Sequence, residues 1–276
     1  LSALLDGQPP RSPDPGLTVT DLTERIVVGG WPALLDHDVQ GATIAVRAYL
    51  DEVRRADIQR VGKASHDPDR VLLLIRSLAR NVATHVTVAT LARDAGGSGT
   101  PMDEDTAYAY LDGLRRLMVV EDQPAWAPHL RSRSRIRNSP KRHFVDPSLA
   151  VAALRATPER LLRDLNFLGF LYESLAVRDL RVYAQAADAQ VLQYRDNTGL
   201  EVDAVVEAAD GRWAAFEIKL GAGMADEGAE NILRFAARVD TAKCGQPSAL
   251  GVIVGTGLAY TRPDGVAVIP IGALGP

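Results

Sequence analysis

The chain of 276 residues has one cysteine, Cys244, so it can build neither a disulfide framework nor a cysteine metal site. That scarcity fits a reducing compartment, and the cytoplasm is the expected location. No apolar run approaches the ~18 residues of a membrane span, and no secretory leader is visible. A dominant charge sign is also missing. The formal net charge is −4, which excludes a uniformly basic nucleic-acid glove and leaves polyanion binding to local patches. The phosphate-binding pattern G-x-x-x-x-G-K-[ST] is absent. Gly62-Lys63 is followed by Ala64, and Asp57 stands where the upstream glycine belongs, so this chain is not expected to bind ATP by itself. The histidines, His37, His66, His85, His129 and His143, are scattered without metal-ligand spacing, and no Ser–His or Cys–His nucleophile is suggested.

The hydrophobic content of 46% suffices for two modest domains. Residues 1–36 include the proline-rich Gln8-Pro9-Pro10-Arg11-Ser12-Pro13-Asp14-Pro15-Gly16, which reads as an extended linker. The chain starts at Leu1 and is read as part of a longer protein. Residues 38–61 are expected to form one amphipathic helix with Ile44, Tyr49, Val53 and Ile58 among its apolar positions. Asp67-Pro68 supplies a cap and first turn for the next helix, whose Val71, Leu74, Ile75 and Leu78 recur at three and four. A short helix from 88 to 94 carries Leu91 inward. Asp103 caps a third helix with Ala107, Tyr110, Leu111, Leu114 and Leu117. Two strands are expected around Gln123-Pro124, one through Met118-Val119-Val120 and one at Trp126. Residues 37–130 thus have the order of a winged helix-turn-helix, in which the third helix enters a major groove or serves only for packing. Its tip, Asp103-Glu104-Asp105, favours packing.

Between 131 and 150 lies a basic linker. Arg131, Arg133, Arg135, Arg137, Lys141 and Arg142 amount to +6 with no acid among them. Such a run either grips phosphates or is a solvated wing, linker or docking strand. Six phosphate contacts would give a log–log salt slope near about −5.

Residues 151–276 read as an α/β domain built on one mixed sheet. The expected elements are a helix over 159–182, strands near 190–195, 201–207 and 212–220, a helix over 225–239, and strands at 250–254 and 266–269. Asp203 is followed 14 residues later by Glu217-Ile218-Lys219 across an Asp210-Gly211 turn. Strand alternation puts Glu217 and Lys219 on one face, with Phe216, Ile218 and Leu220 on the other. A three-residue loop with left-handed Gly211 sets Ala208 against Arg212 and Asp203 against Glu217, on one face. A two-residue loop separates them, and a bulge changes the count. Two facing carboxylates at ~4 Å repel by ~4 kcal/mol at an effective dielectric of ~20, a cost that Mg²⁺ or Mn²⁺ removes. The plainer reading is a surface hairpin with a Glu–Lys pair. Tyr194 and Arg195 could line a substrate groove, and Gln185 and Gln193 could supply polar contacts.

This αβββαβ order with Asp203, Glu217 and Lys219 resembles the PD-(D/E)XK nuclease superfamily, although Val202 stands where that pattern has proline. The resemblance implies Glu173, in Gly169-Phe170-Leu171-Tyr172-Glu173, as a third acid for a metal-bound water or second ion. Further motifs occur in one order: Gly30-Trp31-Pro32; Tyr49-Leu50-Asp51-Glu52-Val53 with Asp57-Ile58; Ser139-Pro140-Lys141 leading to Asp146; Tyr194-Arg195 with Glu201-Val202-Asp203. Together they resemble the C-terminal part of prokaryotic AAA-type ATP-binding proteins whose last region is domain of unknown function 4143. The resemblance implies that residues 1–36 are the tail of an ATPase domain and linker, with ATP bound only by that preceding domain. The expected function is nucleic-acid binding, DNA ahead of RNA, with a Mg²⁺- or Mn²⁺-dependent nuclease-like site. The alternatives are a silent nucleic-acid-binding module and an interaction or homo-oligomerisation platform for the ATPase.

Overall fold

The computed structural model describes residues 1–61, 67–96, 101–128 and 140–276. They form a mixed α+β structure of two units. A helical unit comprises 23–122 and 141–174, and a sheet unit comprises 1–22, 123–140 and 175–276. The units are discontinuous in sequence, unlike the consecutive blocks expected. The N-terminal segment joins the sheet unit because Leu1, Leu4 and Leu5 are buried, the Leu1 amine donates to Gly275 O at 2.6 Å, and Asp6 pairs with Arg212.

In the helical unit, α1 (Val39–Glu52) starts at Asp38, whose side chain accepts from Gly41 N. A π-turn, Val53–Asp57, carries the helix on into Ile58–Val61. Its buried stripe is Ala42, Val46, Leu50, Val53 and Ile58, whereas Ile44 and Tyr49 lie outward. The π-turn buries Arg54, which is held by Asp51 at 2.6 Å and Asp69 at 3.1 Å. Asp67 caps α2 (Pro68–Arg80), and Asp103 caps α4 (Glu104–Arg116) after α3 (Val88–Gly96), as their sequences foretold.

Strand β1 (Val120–Gln123) does not pair with the Trp126 segment. Its partner is β2 (Lys141–Phe144), which also exchanges backbone bonds with 83–84. A strand flanked on both sides is buried along its length, and all of Lys141, Arg142, His143 and Phe144 are inside. Helix α5 (Pro147–Leu154) follows Asp146. The Asp146 carboxylate accepts from Ser148 N at 2.9 Å and Gly30 N at 2.8 Å, and Ser148 Oγ accepts from Trp31 Nε1 at 2.9 Å. This network gives the Gly30-Trp31 and Asp146 motifs a structural role.

Helix α6 (Leu165–Ala186) begins after a separate short helix, Pro158–Leu162, and the unit division falls within it. The sheet unit contains β3 (Ala189–Arg195), β4 (Glu201–Ala208), β5 (Trp213–Lys219), β6 (Ala249–Val254), β7 (Tyr260–Thr261) and β8 (Ala267–Pro270), in the order β3-β4-β5-β6-β8-β7. The pairs β3–β4, β4–β5 and β7–β8 are antiparallel; β5–β6 and β6–β8 are parallel. Helix α7 (Ala225–Ala236) lays Ala229, Ile232 and Phe235 against Trp213, Ala215, Val205 and Val252. Trp126 joins this cluster, 5.0 Å from Trp213 between ring centroids, and the Tyr194 ring lies tilted against Phe235 at 4.7 Å.

Candidate functional site

The β4–β5 hairpin has the three-residue loop. Ala204 pairs with Phe216, and Val206 with Ala214. Ala208 N donates to Arg212 O at 2.8 Å, and Gly211 has φ +89°. A glycine takes that left-handed conformation without steric cost. The ladder stops at Ala204, one residue before Asp203, because a bulge intervenes on the other edge of β4. Leu192 pairs with Val205 but Tyr194 with Val202, so Asp203 and Ala204 together oppose Gln193. Gln123, fully buried, donates its amide to Asp203 O at 2.8 Å and Leu192 O at 3.0 Å. The Asp203 carboxylate accepts from Ile218 N at 3.0 Å. Asp203 is thus attached to β5 through its side chain where the ladder bond is lost.

Glu217 lies on the same side of β5 as Trp213 and Ala215, facing α7. A Cβ on Gly228 would sit 2.9 Å from Val252 Cγ1 and 3.4 Å from Glu217 Cβ, so a glycine there lets the helix approach β5 and β6. Glu217 is 3% exposed, and its Oε1 accepts from Asn231 Nδ2 at 2.9 Å. Its Oε2 lies 3.5 Å from Lys219 Nζ. Lys219 is also 3.5 Å from Glu227 Oε1. Burial pulls the Lys219 pKa down, but Glu217, Asp203 and Glu227 outweigh it and the net shift is upward. Asp203, Glu217 and Lys219 are therefore one electrostatic cluster at the end of β5.

Among the described residues no three of His, Cys, Asp or Glu gather as a metal-ligand group. Mg²⁺ is commonly held through one or two carboxylates with water completing the shell, so the Asp203–Glu217 pair fits a hard divalent cation by its donor chemistry.

Glu173 belongs to the helical unit, where its Oε1 accepts from Lys141 Nζ at 2.5 Å in a buried ion pair. Lys141 and Arg142 are therefore not surface phosphate ligands. Lys141 is 3% exposed and engaged by Glu173. Arg142 is 6% exposed, donates to Val86 O and lies 3.6 Å from Asp122. Burial, the largest influence, lowers the Arg142 pKa. Arg131, Arg133, Arg135 and Arg137 fall outside the described residues. Tyr194 packs in the aromatic cluster, and Arg195 pairs with Glu201 at 3.1 Å. Gln185 is exposed. Gln193 is fully buried, and its side-chain amide makes no hydrogen bond among the described residues.

Asn231 was not anticipated, although a signal existed. Gly228, Ile232 and Phe235 are buried on α7, and 231 is the i+3 place of that inward stripe. A polar residue at an inward helical position calls for a polar partner.

Two family profiles match. Domain of unknown function DUF8612 matches residues 19–160, and domain of unknown function DUF4143 matches residues 168–274. The first spans just over half of the chain, which belongs to the DUF8612 family, and the second supports the C-terminal domain expected from the motifs. No curated protein and no solved structure matches the chain.

Proposed function

We propose that this chain is a nucleic-acid-handling module, DNA ahead of RNA, whose Asp203–Glu217–Lys219 cluster takes Mg²⁺ or Mn²⁺ and acts on a phosphodiester. The observation that carries the reading is the Lys219 ammonium, 3.5 Å from Glu217 and within the field of Asp203. The order α6, β3, β4, β5, α7, β6 supports a PD-(D/E)XK-like assignment. In the helical unit, α2, α3, α4, β1 and β2, with Thr84 bridging Arg142, have a winged-helix order. The motif resemblance adds an ATPase domain as the working partner, and the single cysteine points to the cytoplasm as the location. No helix among the described residues is long and apolar enough to cross a membrane.

When bound, the cation supplies Lewis-acid polarisation of a phosphoryl oxygen. Asp203 and Glu217 hold it. Lys219 places positive charge where the reacting phosphate gains negative charge, a role whose loss commonly costs 10²–10³-fold in rate. Asn231 and Ile218 N fix the two carboxylates.

The test is Mn²⁺ titration and cleavage of labelled single- and double-stranded DNA and RNA. Wild type should bind Mn²⁺ and cut; Asp203→Ala and Lys219→Ala should lose at least about 100-fold. Absence of cation binding at millimolar Mn²⁺ overturns the nuclease reading. One observation favours a second reading, a silent binding module: Glu217 already has the Asn231 amide and the Lys219 ammonium as partners. Salt-sensitive binding without cleavage in the same assay identifies it.

A further inference from the structure

We propose that Asn231 is a positioning residue that holds the Glu217 carboxylate in its working orientation. Its side-chain Nδ2 donates to two strands at once, to Glu201 O on β4 at 2.8 Å and to Glu217 Oε1 on β5 at 2.9 Å. Its Oδ1 accepts from Arg234 Nη2 at 2.7 Å. The amide is thereby anchored on its own helix while it bridges the hairpin. Glu217 is left with one oxygen on Asn231 and the other toward Lys219, which fixes the carboxylate plane. Asparagine is a poor helix-interior residue, and an apolar side chain would better continue the inward stripe, so its place in α7 is explained by the donors it supplies. Its neutrality also matters. Asp203, Glu217 and Glu227 against Lys219 and Arg234 leave a formal −1, which a basic residue at 231 would cancel and a further acid would crowd.

As a statement about cation binding, this rests on the reading proposed above; as a statement about the metal-free protein, it does not. Asn231→Leu keeps the branched four-heavy-atom side chain and removes both donors. Asn231→Ser is the milder variant if the leucine protein fails to fold. Crystal structures of the metal-free wild type and variant should show the Glu217 carboxylate displaced in the variant by more than about 0.5 Å, the tolerance of a functional constellation. Mn²⁺ affinity, measured by calorimetry, should fall about ten-fold, as it does when an outer partner of a metal ligand is lost. A folded variant whose Glu217 stays in place overturns the proposal, as does unchanged Mn²⁺ affinity in a variant whose carboxylate has moved. If wild type binds no Mn²⁺, the nuclease reading falls, and the metal-free structures still decide the role of Asn231.

Discussion

Replacing Glu173 by leucine removes the carboxylate 2.5 Å from a lysine whose side chain is 4% exposed. At that distance and an effective dielectric of ~20, the gross attraction is ~7 kcal/mol. Desolvation costs several kcal/mol per ion, so the intact pair contributes little net stability. Removing one partner is a different perturbation, because the buried ammonium keeps its desolvation cost without that attraction. Glu173→Leu should therefore destabilise the protein by about 3–5 kcal/mol, while the double variant Lys141→Met with Glu173→Leu should recover most of that loss. Equilibrium urea unfolding, followed by circular dichroism and by amide exchange within β2, measures both. A Glu173→Leu loss under about 1 kcal/mol, or a double variant as unstable as the single one, refutes the account of Glu173 as the partner of Lys141.

Neutralising Arg131, Arg133, Arg135 and Arg137 together should reduce the log–log salt slope of DNA binding by up to about 3.6, at about 0.9 per phosphate contact, read by fluorescence anisotropy between 50 and 200 mM salt. An unchanged slope removes the run from the interface. Lys141 and Arg142 are not counted, because both are buried. Trp126→Ala should cost about 3–5 kcal/mol in denaturant unfolding, since the ring is 1% exposed among Trp213, Phe235 and Tyr194. A cost below about 1 kcal/mol contradicts its place in that cluster. The raised Lys219 pKa gives a signed pH prediction. Its stabilising contribution is fully present below the ordinary lysine value of 10.5 and is lost as pH rises through the higher folded value. The stability difference between wild type and Lys219→Met should be flat from neutral pH to about 10 and change only above it, measured by urea midpoints across that range.

The three-residue hairpin loop was one of the alternatives the sequence left open, because the cause of such a turn is local. Asp210-Gly211 permits the loop, Gly211 takes the positive φ that such a turn requires, and the pairing of Ala204 with Phe216 decides it. The bulge at Asp203 was not legible, because the side chain that caps its carbonyl is Gln123, 80 positions away. Local pattern also placed the buried side of α1 and its continuation only in part, because Val53 and Ile58 are buried while Ile44 and Tyr49 are not. Ile44 and Tyr49 are larger than Ala42 and Val46, yet the inward stripe runs through Ala42, Val46 and Leu50. The basic run failed as a single unit for a related reason. Counting charge treats Lys141 and Arg142 like their neighbours, whereas β2 is flanked on both sides and carries them inward to Glu173, Asp122 and the Val86 carbonyl. Burial of a charge is decided by partners distant in sequence, so a run of like charges marks a surface only as far as the chain stays outside a sheet. The acids follow the same reasoning. Asp203 and Glu217 come together because adjacent strands bring them there, while Glu173 answers to a lysine in its own unit.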